Sequence, residues 1–283
     1  MKKTILVVAA HADDMELSMG ATALKYLDRG YDFHIVYSTN NMSGEYAWIN
    51  EDGRIVSRHV PPTEEMRIRK AEAAKAAAFF GTEPVHLDYP QRHYFLDDAG
   101  TRVDVNFGSP VPEGIAADRP TILTAHEYPA EVSKLAEMIV RWDPEVIFTM
   151  GPVDTNPEHS GTCYLTMKAR CKAAQAGCDN TLIYCTTPAP LHIAPLYDCF
   201  DTFIDTGGYM ARKNEVVGCH ASQKPRPEVL DYRDWEVGAR CGCETAEAFV
   251  IGERARYKTG PLTAELLKNH LYCRENFHRI FLP

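Results

Sequence analysis

The feature that most constrains the fold is an apolar run, Thr4 to Ala10, which leads directly into a charged turn. The run is continuous rather than alternating, as is typical of a strand buried on both faces of a parallel sheet. It ends in His11-Ala12-Asp13-Asp14, and apolar residues then recur at helical spacing from Leu17 to Leu27. A strand, a polar turn and a helix in this order place charge at the carboxyl edge of a sheet, where open α/β proteins bind ligands.

The same arrangement recurs in the second half of the chain. Val146 to Met150 is another continuous apolar run, a polar turn follows, and a helix with His159 at its entrance is predicted to about residue 176. His11 and Asp14 are too few ligands for a catalytic zinc, which usually takes three from the protein. His159 is the natural third ligand, and Asp13 is left free to handle a proton.

The order of predicted strands and helices along the rest of the chain predicts an α/β fold, a Rossmann-like three-layer sandwich with a mostly parallel sheet. A single domain over residues 1–283 is expected. Segments 38–62 and 89–129 are predicted to be irregular and to shape a pocket, the second with a short hairpin. Residues 225–240 are also predicted to be irregular, and residues 246–253 to form one or two helical turns. Further strands are expected at 33–37, 85–87, 182–184 and 202–204, and further helices at 66–80, 130–142, 209–219 and 262–270.

Composition narrows the class of partner. The chain has 30 basic and 39 acidic residues, a formal charge of −9 and no dense Lys/Arg run, which argues against nucleic acid and anionic membranes as partners. No apolar stretch is long enough to span a bilayer. The nine cysteines are odd in number and contain no C-x-x-C pair, which favours reduced thiols in a cytoplasmic protein. A small-molecule substrate is expected, and a homo-oligomer is left open.

Several motifs, taken in order along the chain, resemble those of the LmbE/PIG-L family of zinc-dependent N-deacetylases, which act on N-acetylglucosamine-type sugars and conjugates. They are His11 to Glu16 with Gly20, Arg69-x-x-Glu72, Asn156-Pro157-Glu158-His159, His220-x-Ser222-Gln223 and Ala246 to Phe249.

The resemblance implies a hydrolase that removes an N-acetyl group with metal-activated water and one zinc per chain. His11, Asp14 and His159 would be the metal ligands, and Asp13 would transfer the proton. His220 is the first choice of donor to the negatively charged oxygen that forms during hydrolysis.

Two further residues are assigned to the substrate, and two positions depart from the family pattern. Asn156 and Arg69 are candidate substrate-binding residues, and each is a further candidate for the oxyanion donor. Asn156 replaces a histidine that the family uses near the substrate carbonyl, so the resemblance does not assign a histidine to that role in this chain. Ala12 replaces a proline, with no loss of side-chain chemistry.

Each of these residues also has a plain structural interpretation. Asp13 and Asp14 are good caps for the following helix, and His159 alone is typical of a surface residue. Arg69 would usually pair in solvent with Glu65 or Glu72, and His220 would complement a helix dipole.

Alternatives for the whole protein stay open as well. They are a zinc amidase on another amide such as a thiol conjugate, a member that binds metal but is inactive, and a Rossmann-like sugar- or nucleotide-binding protein without catalysis. Against the last, the first turn lacks the G-x-G-x-x-G pattern of dinucleotide sites. His and carboxylate ligands also suit divalent metals other than zinc.

Overall fold

The first strand, β1 (Thr4–Ala9), lies near the middle of a seven-stranded sheet and is buried along its whole length. The computed structural model describes residues 3–44, 46–107, 120–185, 202–223 and 227–253. The other elements in chain order are α1 (Asp14–Leu27), β2 (Asp32–Thr39), β3 (Tyr46–Ile49), β4 (Ile55–Arg58), α2 (Pro62–Ala78), β5 (Val85–Tyr89), β6 (His93–Phe95), β7 (Arg102–Asp104), α3 (Pro129–Trp142), β8 (Val146–Thr149), α4 (Pro157–Gln175), β9 (Thr181–Cys185), β10 (Thr202–Asp205), α5 (Met210–Val217), α6 (Pro227–Cys241) and β11 (Ala246–Glu253). A 3₁₀ turn at Ala125–Glu127 precedes α3.

The strand order of the sheet is β10-β11-β9-β8-β1-β2-β5. Neighbouring strands from β9 to β5 pair in parallel, whereas β11 is antiparallel to both β9 and β10. The predicted α/β class with a mostly parallel sheet is therefore confirmed.

Alternate residues of β1 face two different core layers. Ile5 and Val7 belong to a cluster that includes residues of α1, α2 and α5. Leu6 and Val8 belong to a second cluster, with residues of α3 and α4. The helices thus cover both faces of the sheet, which explains why β1 is apolar at every position.

Three sequence-based expectations need correction. Residues 246–253 form strand β11 rather than helical turns, because pairing with β9 and β10 overrides the helix propensity of an alanine-rich stretch. Residues 227–241 form helix α6 rather than an irregular segment, and its first residue is Pro227, a position that tolerates proline. Segment 38–62 contains a hairpin of β3 and β4.

Other expectations are confirmed or lie outside the described residues. The short hairpin expected within 89–129 is present as β6 and β7, while residues 108–119 of that segment are outside the description. The helix expected at 262–270 is outside it too. In the described residues, no helix has the length and apolar character that crossing a membrane requires.

Helix α1 is interrupted in the middle and receives a cap from a distant strand. Met19 has non-helical angles of φ −144° and ψ 18°. Just beyond it, the carboxylate of Glu247 in β11 accepts hydrogen bonds from the backbone N–H groups of Ala21 (3.1 Å) and Thr22 (2.8 Å). A carboxylate at the start of a helical segment satisfies free N–H groups and complements the helix dipole. Strand β11 thereby stabilises the second half of α1.

The same carboxylate belongs to a buried ion network that we call the lysine cluster: Lys213, Asp234, Glu247 and Arg233. The Lys213 ammonium lies 2.5 Å from Asp234 and 2.7 Å from Glu247, and all three side chains are almost completely buried. Arg233 adds a bond to Asp234 at 3.0 Å. Gly20 allows this packing, because a Cβ there would lie 3.3 Å from Lys213 Cγ. The lysine cluster therefore connects α5, α6 and β11 through ion pairs, and α1 through the hydrogen bonds that its backbone donates to Glu247.

Candidate metal centre and active site

Strands β1 and β8 are adjacent and parallel, so the turns that follow them lie side by side. The first turn carries His11 and leads into α1, whose first residue is Asp14. The second leads into α4, which carries His159 in its first turn. This topology brings together three residues that are far apart in the sequence.

His11, Asp14 and His159 form a compact group of donor atoms that we call the metal cluster. One ligand atom from each residue lies within 4.8 Å of the others, and all three residues are buried. His159 Nε2 lies 3.3 Å from Asp14 Oδ1 and 3.3 Å from His11 Nδ1, which is itself 3.1 Å from Asp14 Oδ2. Two imidazole nitrogens and a carboxylate around one point match the donor set of catalytic zinc sites.

The second ring nitrogen of each histidine is bound by a further carboxylate. His159 Nδ1 lies 2.8 Å from Asp154 Oδ2, and His11 Nε2 contacts Glu158 Oε2. Glu158 also accepts bonds from the Gln91 side chain (3.0 Å) and the Arg92 backbone N–H (2.8 Å). Carboxylates in this position orient a histidine and make its other nitrogen a better ligand. Asp154 therefore orients His159, and Glu158 orients His11.

The charge balance of the metal cluster favours a cation. Burial alone lowers the pKa of a histidine, but Asp14, together with Glu158, raises the pKa of His11 to about 9. Asp14 and Asp154 likewise raise the pKa of His159 to about 10. In turn the two histidines hold the pKa of Asp14 well below its usual range, against the effect of burial. A divalent cation would replace the two protons and satisfy the same carboxylates, so these residues fit a metal ion.

Asp13 lies next to the metal cluster but is not part of it. Its backbone has φ 153° and ψ −25°, a conformation that side-chain-bearing residues rarely adopt and that is often found at functional sites. Burial raises the pKa of Asp13, while the Arg69 guanidinium, 3.4 Å from Oδ1, opposes the rise. A carboxyl whose pKa is raised above its ordinary value is better suited to accept and return a proton.

Arg69 is buried against the turn after β1. It donates from NH2 to the Ala12 carbonyl (3.2 Å) and from NH1 to the Ser43 carbonyl (3.4 Å), in addition to its contact with Asp13. Its Nε has no hydrogen-bond partner among the described residues. The solvent-exposed ion pair that a plain interpretation predicts is therefore absent, and Arg69 instead supports the backbone and carboxylate of Asp13. A contact with substrate stays a prediction.

Asn156 caps helix α4. Its side-chain oxygen accepts a hydrogen bond from the Glu158 backbone N–H at 3.0 Å, a common use of asparagine at a helix start. The cap places Glu158 and His159 in the first turn of α4. The predicted role of Asn156 towards the substrate is not tested by this geometry and stays a prediction.

His220 is buried beside Asp13 and outside the metal cluster. The ring Nε2 lies 3.4 Å from Glu16 Oε1, and Asp13 is near enough for each group to affect the pKa of the other. Of the predicted site residues, only His11, Asp14 and His159 share the metal cluster in the described structure, while Asp13, Arg69 and His220 lie outside it.

Helix α2 supplies two carboxylates that hold the segment after His220. Glu72 accepts bonds from the backbone N–H (2.9 Å) and hydroxyl (2.7 Å) of Ser222, and Glu65 accepts one from Gln223 at 3.0 Å. With Arg69 these residues form one buried polar face of α2. Their spacing, 65, 69 and 72, on an otherwise alanine-rich helix is a signal that sequence reasoning missed, except for the match to the Arg-x-x-Glu motif.

Comparisons with solved structures agree with this fold. The N,N'-diacetylchitobiose deacetylase of Pyrococcus horikoshii is similar with a TM-score of 0.61 and 18% identity, covering 93% of this chain and 88% of that one. The 4-carboxy-2-hydroxymuconate hydratase of Pseudomonas putida gives 0.62 and 18%, covering 91% and 100%. A zinc-inhibited form of a teicoplanin deacetylase gives 0.55 and 14%, covering 87% and 97%. At these identities the likeness establishes the fold, which serves both deacetylases and a hydratase.

Sequence comparison identifies the family. A search of curated proteins gives no match. The family model described as PIG-L, GlcNAc-PI de-N-acetylase, matches residues 6–170, which include the whole metal cluster and more than half of the chain. The chain therefore belongs to the PIG-L family.

Proposed function

We propose that the protein is a zinc-dependent deacetylase that hydrolyses the N-acetyl amide of an N-acetylglucosamine-type sugar or conjugate. The observation that carries this proposal is the juxtaposition of the metal cluster with Asp13, a half-buried carboxyl that the metal cluster does not use. The family description and the chitobiose deacetylase among the structural neighbours support the choice of an N-acetylated sugar.

The metal cluster would hold the ion through His11 Nδ1, an Asp14 oxygen and His159 Nε2. When bound, a zinc ion polarises the amide carbonyl and lowers the pKa of water towards ~7. Asp154 and Glu158 hold the two histidine rings in the required orientation from outside.

Asp13 would carry out the proton transfers. Its carboxylate accepts the proton that water loses on attacking the carbonyl carbon. The carbon–nitrogen bond then breaks, Asp13 returns the proton to the departing amine, and acetate is released. Arg69 keeps the Asp13 side chain in place through the 3.4 Å contact.

His220 would stabilise the negative charge that develops on the carbonyl oxygen. The ring is buried and lies beside Asp13, and a hydrogen-bond donor in such a site contributes strongly because it is fixed and screened from water. Asn156, whose side-chain oxygen is occupied by the α4 cap, contributes to this proposal by placing His159.

The direct test combines amine release from a panel of N-acetylated sugars with the variant Asp13→Asn. Loss of the carboxylate should lower turnover by about 10²–10⁴-fold while zinc content is unchanged, because Asp13 is not a ligand. The matched control is Asp28→Asn at the exposed C-terminal end of α1, which should retain full activity.

The outcomes separate the alternatives. Full activity in Asp13→Asn would remove Asp13 from its proposed role. Zinc binding by a wild type that is inactive on sugars but active on thiol-conjugate amides would change the substrate. Zinc binding without any hydrolysis would indicate an inactive member. Nucleotide binding without metal would favour the binding-protein alternative.

A further inference from the structure

Glu16 is a buried carboxylate that the chemistry described above does not use. It lies in the first turn of α1, two residues after Asp14, and its side chain is completely buried. One oxygen, Oε1, accepts a hydrogen bond from the Tyr37 hydroxyl at 2.8 Å and lies 3.4 Å from His220 Nε2. In the described residues Oε2 has no hydrogen-bond partner. A fully buried carboxylate is costly unless a cation faces it, and His220 is the basic side chain at ion-pair distance here.

The two ring nitrogens of His220 have different surroundings. Nε2 lies at ion-pair distance from Glu16 without a well-formed hydrogen bond, whereas Nδ1 has neither an ion-pair nor a hydrogen-bond partner in the described part of the chain, although the residue is 1% exposed. Buried ring nitrogens are nearly always bonded, so an unpartnered Nδ1 next to a candidate active site points to a missing ligand atom.

We propose that Glu16 is a positioning residue that holds His220 through Nε2, so that Nδ1–H is presented to the substrate carbonyl oxygen. This inference rests on the proposed function and adds to it the residue that prepares the oxyanion donor. A carboxylate bound to one nitrogen of a histidine fixes both the orientation of the ring and the location of its protons. Tyr37, bonded to the same oxygen, restricts the carboxylate to one position.

The charges around His220 favour the doubly protonated ring. Burial lowers the pKa of His220, but Glu16 and Asp13 outweigh burial and the opposing charge of Arg69, so that the pKa is raised. A ring with both nitrogens protonated can donate from Nδ1 while Nε2 remains bound to Glu16.

The test is ¹⁵N NMR of the histidine rings in the zinc-loaded protein, compared between wild type and Glu16→Gln, with His220→Gln used to assign the signal. In the wild type both His220 nitrogens should have the shifts of a protonated ring at pH 7, and in Glu16→Gln the ring should become neutral. The kcat for amine release should fall by about 10²–10³-fold, as for loss of an oxyanion donor, with KM and zinc content nearly unchanged.

A matched control uses the other buried Tyr–Glu pair, Tyr31 and Glu145, whose hydroxyl and carboxylate are 3.2 Å apart at the opposite edge of the sheet. Glu145→Gln should leave the His220 shifts and kcat unchanged. An unchanged His220 signal in folded Glu16→Gln would overturn the proposal. If that variant does not fold, a neutral His220 in the wild type at pH 7 would overturn it. A wild type without deacetylase activity would refute the proposed function, while the NMR result would still decide whether Glu16 holds His220.

Discussion

The metal cluster and the lysine cluster are two buried groups of charge that differ in the kind of cation they contain. In the lysine cluster, Asp234 and Glu247 face the permanent charges of Lys213 and Arg233. In the metal cluster, Asp14 faces His11 and His159, whose charge consists of protons that can leave. Burial and short contacts are alike in both, so neither property distinguishes a binding site from a structural ion network.

What distinguishes them is whether the cation can be exchanged. A lysine ammonium is covalently attached to the chain and cannot be replaced by a metal ion. The lysine cluster therefore stabilises the fold and does not bind a metal. Imidazole nitrogens become metal ligands when they lose their protons, so the metal cluster can exchange protons for a divalent ion. The comparison predicts that substitutions in the lysine cluster lower the free energy of unfolding, and that substitutions in the metal cluster lower the affinity for zinc.

The largest effect on stability is expected from Lys213→Met. Removing the ammonium leaves the buried carboxylates of Glu247 and Asp234 without the positive charge of Lys213. This should lower the free energy of unfolding by about 3–5 kcal/mol. Chemical denaturation of the metal-free proteins measures the change. The control Lys134→Met removes an exposed ion pair with Glu131 and should cost at most about 1 kcal/mol. A Lys213→Met variant that kept wild-type stability but lost zinc would contradict the division between the clusters.

A smaller effect is expected from Asp154→Asn, which changes the group bound to His159 Nδ1 without removing a ligand. Zinc affinity should fall by about 10–100-fold because the ring is less well oriented and is a poorer donor. Competition with a chelator gives the affinity. The control Asp104→Asn affects an Asp–His pair outside the cluster, His93 with Asp104 at 2.6 Å. Equal zinc affinity in Asp154→Asn and the wild type would show that Asp154 does not support the site.

A further prediction concerns the protons of the metal cluster. In the metal-free protein the pKa values of His11 and His159, about 9 and about 10, keep both rings protonated at pH 7. Zinc must displace these protons, so its affinity should rise as pH increases towards 9, with release of about two protons per ion at pH 7. Calorimetry in buffers of different ionisation enthalpy counts them. Binding without proton release would contradict the charge balance assigned to the metal cluster.

The same two pKa values determine how the metal-free fold depends on pH. Because both folded-state values lie above the ordinary value of 6.5, the stabilisation from these protons is complete below pH 6.5. It is lost as pH rises through 9 and 10.

The sequence was most informative where chemistry follows directly from a local pattern. The apolar strand that ends in His11, and the second strand followed by His159, predicted the parallel sheet and the three residues that the metal cluster brings together. Each of these predictions depends on a local pattern, namely a continuous apolar run followed by the start of a helix. Such patterns can be recognised without knowing which distant residues are in contact.

The missed features depend on long-range pairing. Strand β11 alternates between two environments: Ala246 and Ala248 pack in a small core, while Glu247 faces α1. This alternation was present in the sequence, but alanine and glutamate favour helices, and only the neighbouring strands decide the outcome. In the same way, the contact of Glu16 with His220 joins residues about 200 positions apart and has no local signature.

The most direct test of the central claim is the zinc content of the purified wild type and of His159→Ala, measured by elemental analysis together with amine release. The account predicts about one zinc per chain in the wild type, and loss of both zinc and hydrolysis in His159→Ala. The control His93→Ala, a histidine outside the metal cluster, should retain both. A folded wild type that remains metal-free after zinc loading, or a His159→Ala variant that keeps its zinc, would contradict the assignment of the metal cluster.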